Sequence, residues 1–287
     1  MSLKLKISRR IHPVDKMLFH LHCKLRGARK YETACKYAND SQCIDASGDS
    51  SLHLYLTLRC NLKCYFCVNK QYGLTPAFKE SWGVDWLQYL NRIYNIKQLH
   101  IQGGEPMLHK DFFYIVNGLD DYNVCIFTNL PHKYIDEVSK MKVNNNNIIL
   151  LISYHPLNDE RPVNQFVDDL RRIPKGIKWA VHLIDIPEVS YKLYARAFRK
   201  YDIFLERQDV SLTTEHYNIP VTGFKSVYCK SNMATVAPDM SLYRCVGLML
   251  RRTDPVSVYD YNFNPDFEIC NFYGLCGQCT TAKEIKR

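Results

Sequence analysis

Residues 51–67 constrain the chain more than any other stretch. The run Ser51-Leu52-His53-Leu54-Tyr55-Leu56-Thr57-Leu58 alternates as a half-buried strand does. It leads directly into Cys60-Asn61-Leu62-Lys63-Cys64-Tyr65-Phe66-Cys67. A strand therefore delivers a short loop with three thiols at Cys-x3-Cys-x2-Cys spacing, which is an iron-sulfur signature. A cubic four-iron cluster is usually held by four thiolates, so three leave one iron open to a small molecule. Zinc would need a fourth ligand close by, and the nearest downstream candidates, Tyr72 and Lys79, are unsuitable.

Cys60, Cys64 and Cys67, with Phe66 before the last of them, resemble the cluster loop of the radical S-adenosylmethionine (radical SAM) superfamily. The segment Ile101-Gln102-Gly103-Gly104-Glu105-Pro106 resembles the Gly-Gly-Glu-Pro segment of that family. The resemblance implies a 4Fe-4S cluster whose free iron chelates S-adenosylmethionine and, when reduced, cleaves it to methionine and a 5'-deoxyadenosyl radical. It places Phe66, Gly103, Gly104, Glu105 and Pro106 at the cofactor. Glycines without side chains would let a polar ligand approach closely, while the Glu105 carboxylate would face its ammonium group.

The rest of the chain predicts the scaffold for such a loop. Helical patterns near 80–94, 110–119, 132–141, 162–172 and 189–199 alternate with strand patterns at 96–102, 123–128, 148–154, 177–184 and 203–206. With the opening strand this makes six strands, and right-handed crossovers would curl them into an α/β partial (β/α)6 barrel with its polar groups at the C-terminal strand ends. The family's partial barrel has the same order. Residues 1–49 read as a basic helical segment, 50–215 as the barrel, and 216–287 as a small β-hairpin and helix extension.

By the same resemblance, Thr128 and Asn129 after the third barrel strand and Ser153 after the fourth correspond to positions that contact the methionyl or ribosyl part of S-adenosylmethionine. Leu130 stands where many relatives have glycine, and Tyr154-His155-Pro156 replaces the Leu-Asp-Gly ending common in peptide-modifying relatives.

The last seventy residues hold a second cysteine group: Cys229, Cys245, Cys270, Cys276 and Cys279. Residues 229–245 read as two short strands around the turn Pro238-Asp239, with a cysteine outside each. They resemble the opening hairpin of the SPASM and twitch extensions of radical SAM enzymes, with Met240 where glycine is more usual. A twitch extension would hold one auxiliary 4Fe-4S cluster through Cys229, Cys245, Cys276 and Cys279, leaving Cys270 spare or in place of one of them. Four thiolates suit structural zinc equally well. Cys23, Cys35, Cys43 and Cys125 form no ligand spacing.

Charge and composition limit the partners. Of the net charge of +9, nearly all lies in the first thirty residues, where nine Lys and Arg face Asp15 alone. Val14, Met17, Leu18, Leu21 and Leu25 fall there at helical spacing, so the segment reads as a basic amphipathic helix, either packed or facing an acidic partner. No aromatic-basic interleaving points to nucleic acid. The chain lacks both an eighteen-residue apolar run and a signal peptide pattern, and twelve cysteines then argue for metal ligands in a soluble, cytoplasmic protein.

The expected chemistry is hydrogen-atom abstraction from a polar small molecule of sugar, aminocyclitol or nucleotide type. An auxiliary cluster would take the remaining electron, giving net oxidation, and flavodoxin or ferredoxin would supply the reducing electron. A base is then needed, and His155, Glu206 and Arg207 are the candidates at strand ends. A ribosomal peptide substrate and a non-catalytic iron-sulfur or zinc scaffold are the alternatives.

Overall fold

The computed structural model describes residues 44–45, 51–67, 69, 78–94, 96, 98–120, 122–142, 148–209, 225–229, 233–252, 255–257, 268–273 and 282–284. The basic segment before residue 44, the four asparagines at 144–147 and Cys23, Cys35, Cys43, Cys276 and Cys279 lie outside the described residues.

In chain order the strands are β1 (Ile44–Asp45), β2 (Ser51–Tyr55), β3 (Ile93–Tyr94), β4 (Gln98–Gln102), β5 (Asn123–Thr128), β6 (Ile148–Tyr154), β7 (Lys178–Asp185), β8 (Leu205–Asp209), β9 (Lys225–Cys229), β10 (Met233–Val236), β11 (Leu242–Tyr243), β12 (Glu268–Tyr273) and β13 (Ala282–Glu284). The main sheet has the order β11-β10-β2-β4-β5-β6-β7-β8. Its six strands from β2 to β8 are parallel and follow in sequence order, the α/β arrangement of a partial barrel.

Local chemistry sets the crossovers. Helix Val163–Arg171 starts after Pro162, whose fixed φ suits a helix entry, and it buries Phe166, Val167 and Leu170 on one face. Arg171 in its last turn complements the helix dipole. The predicted helix at 80–94 is shorter, Gly83–Leu90. Ile93, assigned to it by spacing, instead begins β3, which pairs parallel with β1. The pattern at 132–141 resolves into a 3-10 turn, His132–Tyr134, and one α-turn, Ile135–Val138.

The two faces of the sheet differ sharply. Leu52, Leu54, Leu99, Ile101, Val124, Ile126, Leu150, Ile152, Val181, Leu183 and Leu205 alternate onto the helix side and are buried in the main core. In-register partners on the opposite, inner face are His53, His100, Cys125 and Ile149 in one row, and Ser153, His182 and Glu206 in a higher row. Apart from Cys125 and Ile149 these inner positions are polar, and their burial ranges from buried His53 through half-buried His100, Ser153 and His182 to exposed Glu206.

The hairpin predicted after Cys229 is present. Strands β10 and β11 are antiparallel around Pro238-Asp239, and β10 pairs parallel with β2, so the hairpin continues the barrel sheet. Tyr55 and Leu58 form a second core with Ala237, Tyr243, Val246, Leu248, Met249 and Leu250. The base of the cysteine loop thus rests on the C-terminal segment. Strands β12, β9 and β13 form a separate antiparallel sheet, with Cys229 at the end of β9 and Cys270 in β12. Among the described residues, no helix is long and apolar enough to cross a membrane.

Candidate active site

Past Tyr55 the chain leads into the cysteine loop, and it meets the Gly-Gly-Glu-Pro segment after β4 backbone to backbone. The Gly104 N–H donates to the Thr57 carbonyl at 2.9 Å and the Glu105 N–H to the Arg59 carbonyl at 2.7 Å. A Cβ at Gly103, whose φ is +143°, would sit 2.2 Å from the Thr57 carbonyl oxygen, and one at Gly104 would sit 2.1 Å from that of Arg59. Here the chain's own cysteine-loop backbone makes the close approach that excludes side chains. Pro106 opens the buried 3-10 turn Pro106–Leu108 that follows.

Arg59 fixes the loop from the outside. Its guanidinium donates to both oxygens of Glu80 at 2.8 and 2.7 Å and to the Leu108 carbonyl at 2.8 Å. Glu80 also accepts from the Thr57 hydroxyl. Asn69, buried two residues past Cys67, donates to the Gly103 carbonyl at 2.8 Å, while its own Oδ1 is buried without a hydrogen-bond partner among the described residues.

Glu105 is the centre of the arrangement. It is 1% exposed, and its carboxylate accepts from the Thr128 hydroxyl at 2.7 Å, the Asn129 N–H at 2.7 Å and the Met107 N–H at 3.1 Å. Burial pushes its pKa up to about 7, against those hydrogen bonds and the nearby Arg161, which pull it down. Glu105 was expected to face a ligand's ammonium group; in the structure it ties the turn after β4 to the end of β5. Asn129 reaches onward, donating to Asn61 Oδ1 at 3.1 Å and standing 4.0 Å from Cys60 Sγ.

Of the three loop cysteines, Cys60 is exposed, Cys67 half-buried and Cys64 buried. The Leu62 N–H donates to Cys60 Sγ at 3.4 Å, a contact that suits a thiolate. Among the described residues, no three His, Cys, Asp or Glu side chains gather tightly enough to hold a single metal ion. Three thiols on one eight-residue loop, with an N–H on one sulfur, fit the donor set of a 4Fe-4S cluster with one open iron.

The second half of the site is built from β6 to β8. His155 Nδ1 lies 3.6 Å from Cys64 Sγ, and its ring stacks on Phe66 with centroids 6.1 Å apart. Burial, with His182 nearby, holds the His155 imidazole down to about 4, so it stands neutral. The Ser153 hydroxyl is 2.6 Å from His182 Nε2, and His182 is the register partner of Glu206. His182 was not singled out by motif; its signal is parity, since Ser153, His182 and Glu206 share the inner face. Arg207 pairs with Leu183 and alternates onto the other face, away from the inner row. Because β8 runs from Leu205 to Asp209, Glu206 and Arg207 lie within the strand and not at its C-terminal end.

Cys245 is half-buried and precedes helix Val246–Arg251.

Residues 54–186 match the model of the Radical SAM superfamily. Over this stretch the chain is similar to radical SAM proteins. Curated relatives described as "Probable GTP 3',8-cyclase" match part of the chain. The one from Methanocaldococcus jannaschii is 28% identical over 144 residues, 46% of this chain and 45% of the relative. The one from Methanocella arvoryzae is 38% identical over 92 residues, 30% of this chain and 29% of the relative. The chain thus matches less than half the length of these proteins. Among solved structures, Streptococcus suis SuiB bound to S-adenosylmethionine aligns with 13% identity over 88% of this chain and 73% of that one, at a TM-score of 0.41. The protein anSMEcpe with bound AdoMet aligns with 14% identity over 68% and 74%, at 0.45. The radical SAM superfamily is one of enzymes, and the parallel sheet here carries its cysteine loop at the expected strand end.

Proposed function

We propose that the protein is a radical SAM enzyme acting on a polar small molecule, with net oxidation of the substrate. Cys60, Cys64 and Cys67 would hold the 4Fe-4S cluster, and Gly103, Gly104, Glu105, Thr128, Asn129 and Ser153 would frame S-adenosylmethionine beside it. When bound and reduced, the cluster supplies the electron that cleaves S-adenosylmethionine into methionine and a 5'-deoxyadenosyl radical. The carrying observation is the mutual bonding of three strand ends: Glu105 and Gly104 grip the cysteine loop and the Thr128-Asn129 segment at once.

The inner face would receive the substrate. His182, between Ser153 and Glu206, and His155 beside it are the groups placed to accept a proton as the substrate is oxidised. A neutral imidazole can accept one, and burial depresses both histidines. The names of the curated relatives favour the nucleotide member of the substrate classes. Cys229, Cys245, Cys276 and Cys279 would hold an auxiliary 4Fe-4S cluster suited to accept the substrate's electron, and a flavodoxin or ferredoxin would reduce the first cluster.

The test is iron and sulfide content with electron paramagnetic resonance on anaerobically reconstituted protein, wild type against the Cys60→Ala, Cys64→Ala, Cys67→Ala variant. About eight irons falling to about four supports both clusters. About four falling to none, with zinc bound, retains the first cluster and removes the oxidation.

A further inference from the structure

Arg161 precedes helix Val163–Arg171, far in sequence from every cysteine, and no motif singles it out. Its side chain is 9% exposed. All five of its N–H donors are used: Nε and one Nη2 on Asp159 at 2.9 and 2.6 Å, one Nη1 on Asp169 at 2.8 Å, and the remaining two on the Leu130 and Asn129 carbonyls at 2.8 and 3.2 Å. The guanidinium also lies over the Phe166 ring, 4.8 Å from its centroid. Both aspartates are nearly buried, and Asp169 is held from behind by His132.

Two consecutive carbonyls are thus drawn to one planar cation. They belong to a segment held from the other side by Glu105, and Leu130 within it has φ +50°, a left-handed conformation that strains a residue with a Cβ. A rigid fork on both carbonyls offsets that strain; the single ammonium of a lysine cannot reproduce its geometry. The Asn129 side chain, so fixed, points to Asn61 and Cys60.

We propose that Arg161 is a positioning residue for the S-adenosylmethionine site, setting the Thr128-Asn129-Leu130 turn against Glu105 so that Asn129 meets the ligand beside Cys60. This rests on the reading of that site given above. The test uses the full chain, anaerobically reconstituted, with Arg161→Lys and the near-isosteric Asp159→Asn. Iron content, equilibrium binding of S-adenosylmethionine and the paramagnetic spectrum of the reduced protein with and without S-adenosylmethionine are read together. Arg161→Lys should keep wild-type iron, bind S-adenosylmethionine roughly tenfold or more weakly, the order seen when outer partners of a site are removed, and show a blunted spectral response to it. Asp159→Asn should weaken binding less, and it decides the matter if the lysine variant does not fold. Affinity within about twofold of wild type in a folded variant, or a loss that only tracks lost iron, overturns the proposal. Absence of S-adenosylmethionine binding by the wild type overturns the functional reading instead.

Discussion

The two faces of one sheet follow different rules. Toward the helices, β2, β4, β5, β6, β7 and β8 present Leu, Ile and Val packed to near-zero exposure, and Phe198 meets Tyr154 and Phe166 edge to face behind them. Toward the inside the same strands carry His53, His100, Gln102, Ser153, His182 and Glu206. The first face accounts for stability through burial. The second is hard to explain that way: His53 needs Ser51 and Gln102 to satisfy its ring, and the buried His100 Nε2 has no hydrogen-bond partner among the described residues. Departures from packing logic mark the face that chemistry uses.

Adjacent residues on β6 offer the largest test of that contrast. Leu150 is fully buried on the helix side, and Leu151 is half-buried on the inner face. Leu150→Ala should cost about 2–5 kcal/mol in denaturant unfolding, and Leu151→Ala should cost clearly less. Equal losses would mean that the inner face is packed as core and would break the comparison.

Acid sensitivity should come from the inner face. Burial, with His100 adjacent, lowers His53 to about 3, and burial likewise lowers His100 and His182. A histidine that is neutral in the folded state but titrates near 6.5 when unfolded gives stability that is complete above that value. The stability drains as pH falls below it, down to about 3 for His53. Glu105, raised to about 7, acts oppositely: its contribution is whole below the ordinary carboxylate range and is lost as pH rises through about 7. His100→Leu should raise stability at neutral pH by about 1 kcal/mol, by removing an unsatisfied buried nitrogen, and should flatten the melting temperature between pH 7 and 5. An unchanged acid slope would move the sensitivity elsewhere.

The smallest effect sharpens a second contrast, between two left-handed residues that both stand where glycine was expected. Met240, φ +65°, is half-buried at the hairpin turn; Leu130, φ +50°, is fully buried. Met240→Gly should change stability by less than about 1 kcal/mol, with relief of strain near balance against lost contact. Leu130→Gly should destabilise, since burying a leucine contributes about 2 kcal/mol, more than the strain costs. Thermal melts of the two variants distinguish them.

Much of this was legible in the sequence, because period and motif are local. The run at 148–154 reproduces β6 residue for residue, and the Pro238-Asp239 turn is where spacing puts it. Ile93 was misassigned because a two-residue strand is too short to show a period and needs its partner β1 to exist. The paired glycines were recognisable, but not that Thr57 and Arg59 are what crowd them. Arg161 and His182 were invisible for one reason: each acts through residues distant in sequence, Asn129 and Leu130 for one, Ser153 and Glu206 for the other. Nothing in the residues beside Arg161 signals that all five of its donors are spoken for.

The most direct measurement of the central claim is 5'-deoxyadenosine formed from S-adenosylmethionine by the reduced, reconstituted protein under anaerobic conditions, with Cys64→Ala as the control. The account predicts 5'-deoxyadenosine and methionine in equal amounts from the wild type and none from the variant. Tight binding of S-adenosylmethionine by a fully loaded, reduced wild type that yields no 5'-deoxyadenosine would contradict it, and would make the protein a scaffold.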